Sequence, residues 1–239
     1  MEDILRVENV SKTIGMKQIL QKVSLSIAPG EIVGLVGPNG AGKTSLMKLI
    51  AGYNFPDEGK ITICGQDVGS AHAAAMKNAA FLVEEPGLYP QLTGRQHLHM
   101  VCDTRGIPRT EIEKLSDLLN FEKQLDSRVK TYSIGMKQRL GIALCFAAQP
   151  QFLVLDEPLN RLDPDGIFLI RERMKEASEK GMAILISSHL LTELQKVASR
   201  FVFLHHGEVI GESGEESEEE LENKYRSLFS EEERQVFHN

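Results

Sequence analysis

Short runs of β-branched and other apolar residues alternate along the chain with longer stretches whose apolar positions return every three or four residues. The runs predict strands at 32–36, 61–64, 80–83, 152–155, 183–187 and 201–204. Several are apolar almost throughout, as parallel strands covered on both faces tend to be. Helical spacing predicts helices at 44–51, 94–104, 111–119, 136–147, 166–180 and 191–197. The tetrapeptide TEIE at 110–113 has the spacing of a capping box and is expected to start the third of these. Between Pro86 and Pro150 the strand signal vanishes, which reads as a helical unit inserted into an α/β core. Ahead of that core, LRVENVSKTI and VSLSIAPGEIV read as antiparallel strands.

Composition changes this picture little. The 239 residues suffice for one large domain with an inserted subdomain. The start, MEDILRVENV, is acidic and lacks the apolar stretch of a signal peptide. Apolar runs such as FLVL fall far short of the roughly 20 residues that cross a bilayer. Three cysteines without close metal spacing, Cys64, Cys102 and Cys145, fit a reducing, cytoplasmic home.

Charge is uneven. From Glu208 to Asn239 there are eleven acidic and three basic residues, a net −8 out of a total of −7. The rest, with 23 acidic and 24 basic residues, carries +1. A body without a basic stripe argues against nucleic acid as a partner. The acidic tail keeps helical spacing and is expected to be a helix.

Candidate chemistry begins at GPNGAGKTS, formed by Gly37, Pro38, Asn39, Gly40, Ala41, Gly42, Lys43, Thr44 and Ser45. It fits the phosphate-binding loop G-x-x-x-x-G-K-[ST] in full, with a predicted strand before it and a helix after it. Glycines let successive backbone N–H groups turn toward phosphate oxygens, and the helix adds its positive pole. Lys43 supplies a charge for the terminal phosphates, and the Thr44 hydroxyl can bind Mg²⁺.

A second feature is FLVLDEP, where a buried strand ends in Asp156 and Glu157. Two carboxylates there are costly unless a cation or a polar network meets them. Asp156 on Mg²⁺ and Glu157 facing an attacking water would do so; a solvated strand end is the alternative. The expected fold is α/β: a P-loop NTPase core with a mostly parallel sheet, an N-terminal antiparallel β subdomain and an inserted helical subdomain. Residues 1–85 and 151–210 would form the core, 86–150 the insertion and 211–239 the acidic helical tail of a single domain, 1–239.

The segments GPNGAGKTS, YSIGMKQRLGIAL, FLVLDEPLNRLDP and ILISSH follow one another in this order. Together they resemble the ATP-binding cassette ATPases, the nucleotide-binding subunits of membrane transporters. The resemblance implies ATP and Mg²⁺ as ligands, Glu157 as general base, and Ser133 and Gly135 as signature residues that contact the nucleotide of an opposite subunit. It also implies that Asp163 lies in the loop passing between two active sites, and that His189 is the switch histidine. A plain helix N-cap is the alternative for Ser133, weighed lower because KQRL follows. A lone His such as His189 is more often a loop residue without chemistry, raised only by its place in the series.

Besides Ile134 and Met136, signature variations that the family tolerates, two departures from its pattern carry weight. Ile14 stands where an aromatic residue usually stacks on adenine. Glu84 stands where a glutamine usually senses Mg²⁺ and the attacking water; a carboxylate accepts hydrogen bonds but cannot donate them as an amide does. The stretch EEPGLYPQLTGRQHL is similar to the subgroup serving bacitracin- and lantibiotic-type peptide exporters. The resemblance therefore implies an ATPase that pairs with a second cassette, a homodimer or heterodimer, and drives a separate transmembrane permease. It would sit peripherally on the cytoplasmic face of the cell membrane, with 86–93 as the docking segment and Leu88 and Tyr89 as contacts. Two other readings stay open: a soluble cassette ATPase acting on nucleic acid or ribosomes, and a catalytically silent binding module.

Overall fold

The computed structural model describes residues 2–119, 122–188, 191–214 and 217–229. The first hairpin, β1 (Leu5–Ile14) and β2 (Lys17–Ile27), leads into the short buried β3 (Ile32–Val36) and α1 (Lys43–Ile50). β4 (Glu58–Ile63), β5 (Gln66–Asp67), α2 (His72–Lys77) and β6 (Ala79–Leu82) follow. Then comes the helical stretch of α3 (Gly94–Arg105), α4 (Ser116–Leu119) and α5 (Ile134–Ala147). β7 (Phe152–Leu155), α6 (Pro164–Glu179), β8 (Ala183–Ser187) and α7 (Leu191–Gln195) complete the alternating part. A last hairpin, β9 (Arg200–His205) and β10 (Glu208–Ser213), precedes α8 (Glu218–Leu228).

Among the described residues the strands form two sheets. One is antiparallel, in the order β2-β1-β4-β5. The other has the order β10-β9-β3-β8-β7-β6 and is parallel except for β10 at its edge. Every residue of β3, β7 and β8 is buried. The reason is visible in which core each residue joins. Phe152 and Val154 pack with the antiparallel sheet and with Leu46, Met47, Leu49 and Ile50 of α1. Leu153 and Leu155 pack on the opposite face with Leu140, Ile142 and Ala143 of α5 and with Ile170 and Met174 of α6. Alternate side chains point to opposite faces, so a strand covered on both sides is apolar at every position.

Two expectations from the sequence are corrected. The stretch 111–119 is not one α-helix: a 3₁₀ segment, Arg109–Leu115, precedes the short α4. Within the 3₁₀ segment the buried Ile112 and Leu115 stand three positions apart, the period of a 3₁₀ turn. Thr110 lies inside that segment, so TEIE is not its cap. The capping boxes stand elsewhere. Thr93 and Gln96 close the start of α3, with the Thr93 hydroxyl accepting from the Gln96 N–H at 3.1 Å and the Gln96 side chain accepting from the Thr93 N–H at 2.8 Å. Ser217 and Glu220 close the start of α8 in the same way.

Strand β10 was not expected, and it carries ordered sheet three residues into the stretch expected to be tail. α8 then turns Leu221, Tyr225 and Phe229, spaced four apart, onto the second core. The Phe229 ring lies 4.6 Å from that of Tyr225 and 6.3 Å from that of Phe203 in β9. The tail beyond Phe229 lies outside the described residues. Phe229→Ala should lower stability by about 3 kcal/mol, the cost of removing a buried ring. A urea denaturation midpoint equal to that of the unsubstituted chain would show that α8 is not part of the cooperative core.

Candidate functional site

The C-terminal ends of β3, β7 and β8 meet at one point, and the phosphate-binding loop rises from the first of them. Gly37 is required there by contact: a Cβ would lie 2.2 Å from the carbonyl oxygen of Leu204. Gly42 caps α1 in the left-handed region at φ 110°, where a side chain is strongly disfavoured. No side chain caps α1 and its first turn has no acidic residue. Its opening N–H groups therefore remain available to an anion, as the resemblance requires.

Lys43 is buried, and its Nζ donates back to the carbonyls of Gly37 at 2.5 Å and Pro38 at 3.2 Å. Burial pushes its pKa down, against the pull of Glu157 and Asp156, which raise it. Lys43 Nζ donates to these two carbonyls of its own loop and, as an ammonium with three donors, has one more to offer an incoming phosphate.

Asp156 is buried at 6% exposure and its carboxylate is satisfied by hydroxyls. Thr44 Oγ1 donates to Oδ2 at 2.8 Å and Ser187 Oγ donates to Oδ1 at 2.6 Å. Ser187 Oγ in turn accepts from the N–H of Glu157 at 2.9 Å. Sequence reasoning missed Ser187. The signal that could have found it is the one that marked Asp156: a polar residue closing an otherwise apolar strand. Glu157 itself has φ 48°, an unusual conformation for a side chain of its size and one that clusters at functional sites. The Asn160 side chain approaches it at 3.4 Å.

The structure brings Lys43, Thr44, Asp156 and Glu157 together; other expected residues lie farther out. Ser133 caps α5, its hydroxyl accepting from the Met136 N–H at 3.2 Å, with Gly135 in the first turn. Among the described residues no hydrogen bond joins Ser133 or Gly135 to the loop at 37–45. Asp163 caps α6 through the Gly166 N–H at 3.1 Å and pairs with the buried Arg139 of α5. The Arg139 guanidinium holds the Asp163 carboxyl below the usual carboxylate range. Glu84 stands at φ 65° just beyond β6, its carboxylate on Lys48 of α1. Ile14 ends β1 beside the turn at Gly15 and Met16, 56% exposed. His189 lies outside the described residues.

A family model described as ABC transporter matches residues 20–160, from β2 through the phosphate loop and α5 to the end of β7 and the carboxylates beyond it. The chain belongs to the ABC transporter family. It is the ATP-binding subunit of such a transporter, an ATPase whose hydrolysis is coupled to transport. The bacitracin transport ATP-binding protein BcrA of Enterococcus faecalis is 36% identical over 89% of this chain and 70% of its own length. The lantibiotic transport ATP-binding protein SrtF of Streptococcus pyogenes is 35% identical over 94% of this chain and 96% of its own. A solved ATP-binding subunit of an ABC transporter superposes with a TM-score of 0.85 at 31% identity, covering 93% of both chains.

In this ABC transporter subunit the resemblance assigns to the exposed Ile14 the place where an aromatic ring usually stacks on the base. Stacking on an aromatic residue is worth about 1–3 kcal/mol per base, and an aliphatic contact less. ATP and GTP are therefore expected to bind with similar affinity. Ile14→Tyr should tighten binding by up to roughly tenfold. Parallel titrations with both nucleotides check this, and a strong preference for ATP without gain from the ring would place base recognition elsewhere.

Proposed function

We propose that this subunit works as one of a pair of cassettes on a separate membrane permease, exporting a peptide antibiotic or a similar amphipathic compound. The observation that carries this reading is an apolar groove of 580 Å³ between the end of α1, β6, α3 and α5. Tyr53, Phe81, Leu88, Met100, Val101 and Leu144 contribute to its walls. Such a surface suits the apolar face of an inserted helix. Pro86, Gly87 and Leu88 line it, whereas Tyr89 leans away, its ring stacked on His97 at 6.0 Å. Among the described residues no helix is long and apolar enough to cross a membrane, so the span is assigned to the permease. The bacitracin and lantibiotic relatives support the substrate class and, with it, a place on the cytoplasmic face of the membrane. The groove is apolar and the body lacks a basic stripe, which favours this reading over a nucleic-acid or ribosome-directed ATPase.

At the nucleotide, Lys43 exchanges its loop carbonyls for terminal phosphate oxygens. Thr44 and Asp156 present hard oxygen donors suited to Mg²⁺, which would polarise the γ-phosphate when bound. Among the described residues no three His, Cys, Asp or Glu side chains cluster as a metal site. That suits an ion which takes most of its shell from water and phosphate. Glu157 accepts the proton of the attacking water, with Glu84 and His189 assigned to the same water and phosphate by the resemblance. Ser133, Gly135 and Asp163 are assigned to the interface with the second cassette.

Glu157→Gln should keep ATP binding, lose turnover by about 10²-fold or more, and accumulate as an ATP-bound dimer. Undiminished hydrolysis would remove Glu157 from the role of base. Leu88→Glu should keep nucleotide binding while abolishing co-purification with the co-expressed permease. A permease that stays bound to this variant would place docking outside the groove.

A further inference from the structure

The loop after β6 carries two glutamates, and each is held by a cation from a different element. Glu84 Oε1 accepts from Lys48 Nζ at 2.5 Å, and Lys48 lies in the last turn of α1. Glu85 Oε1 accepts from Arg161 Nη1 at 3.1 Å, and Arg161 lies between β7 and α6. Glu84 and Arg161 both have positive φ, 65° and 68°. A side chain persists in that region only where its surroundings hold it.

The Lys48–Glu84 pair spans the two places where this ATPase works. Helix α1 begins with Lys43 and Thr44 at the phosphate loop, and Ala51, Gly52 and Tyr53 just past its end line the groove. On the other side, Glu84 is two residues past Leu82, whose carbonyl accepts from the N–H of Asp156 at 2.8 Å. Two residues further on, Pro86 enters the groove. The pair is half open to water, with side-chain exposures of 30% and 60%. Such pairs add little stability, so this one is readily exchanged for another partner. A neutral amide at position 84 would need no counter-ion; a carboxylate does, and Lys48 provides it.

We propose that Lys48 is a positioning residue that holds the Glu84 carboxylate in the absence of a divalent cation and competes with that cation for it. The proposal rests on the reading of Glu84 as part of the magnesium and water site. Occupation of that site then draws Glu84 from Lys48, and the strand end that feeds Pro86, Gly87 and Leu88 into the groove is released from α1. Nucleotide state is thereby communicated to the docking surface through one exchangeable ion pair.

The test is a Mg²⁺ titration of trinitrophenyl-ATP binding, read by the probe's fluorescence in a chain without tryptophan. It is run on wild type, Lys48→Met, Glu84→Gln and the double variant. Removing the competitor should lower the half-saturating Mg²⁺ roughly five- to tenfold when Glu84 is present and less than about twofold when it is Gln, the non-additivity expected of residues in contact. Lys48→Arg should restore the wild-type value. Melting temperatures should stay within about 3 °C of wild type, since an exposed pair is lost. Lys48→Gln serves if the methionine variant does not fold. Equal shifts in both backgrounds, or no shift on removing Lys48, would overturn the competition. If Glu84→Gln itself leaves the titration unchanged, the fault lies instead in placing Glu84 at the cation site.

Discussion

A carboxylate inside an apolar sheet is costly unless donors reach it, and Asp156 is reached from two sides. Thr44 reaches it from the first turn of α1, behind the loop carried by β3, and Ser187 reaches it from the end of β8. The same serine accepts from the backbone of Glu157 and so sets the direction in which the chain leaves β7. Three parallel strands are thus fastened at the edge from which the phosphate loop rises. Ligands of open parallel sheets gather at the carboxyl ends of the strands, and here the polar cluster is also what locks those ends together. Replacing any of the three side chains would disturb the position of the other two.

Helix α1 joins this cluster to the rest of the molecule. Its N-terminus faces the phosphate site, and the residues just past its C-terminus form part of the apolar groove. With 1.5 Å of rise per residue, its eight residues are a lever of about 12 Å. It is packed between the two sheets, with Leu46, Met47, Leu49 and Ile50 buried. A packed helix moves as a body, so displacement at one end is felt at the other. The Asp163–Arg139 pair links the start of α6 to α5 in a comparable way.

Much of this was legible in the sequence because the physics behind it is local. Residues 32–36, 152–155 and 183–187 read as strands since each is a short apolar run, closed by glycine and proline after 36 and by a polar residue at 156 and 187, and the structure keeps those bounds. The phosphate loop was legible from its glycines and its setting. The 3₁₀ segment was misread because apolar spacings of three and of 3.6 hardly differ over nine residues. Strand β10, EVIGES, has a glutamate at or next to each end, a glycine and no alternation, and it exists by pairing with β9. Ser187, Lys48 and Arg161 act on partners 31, 36 and 76 residues away. For Lys48 and Arg161 nothing in the neighbouring residues records those contacts, whereas Ser187 is marked locally only as a polar residue closing an apolar strand. Ile14 and Glu84 stood out only against the family pattern, since an exposed isoleucine and an exposed glutamate are unremarkable by themselves.

The central strands also divide the consequences of change between two compartments. Neighbouring residues such as Leu153 and Val154 serve different cores, one shared with α5 and α6, the other with α1 and the antiparallel sheet. A loss of packing at one position loosens the mount of Ser133 and Asp163, while a loss at the next loosens the mount of Lys43 and Thr44. Variation along a single strand can therefore tune the setting of the phosphate loop and the setting of α5 and α6 almost independently. Four consecutive residues carry two separate dials.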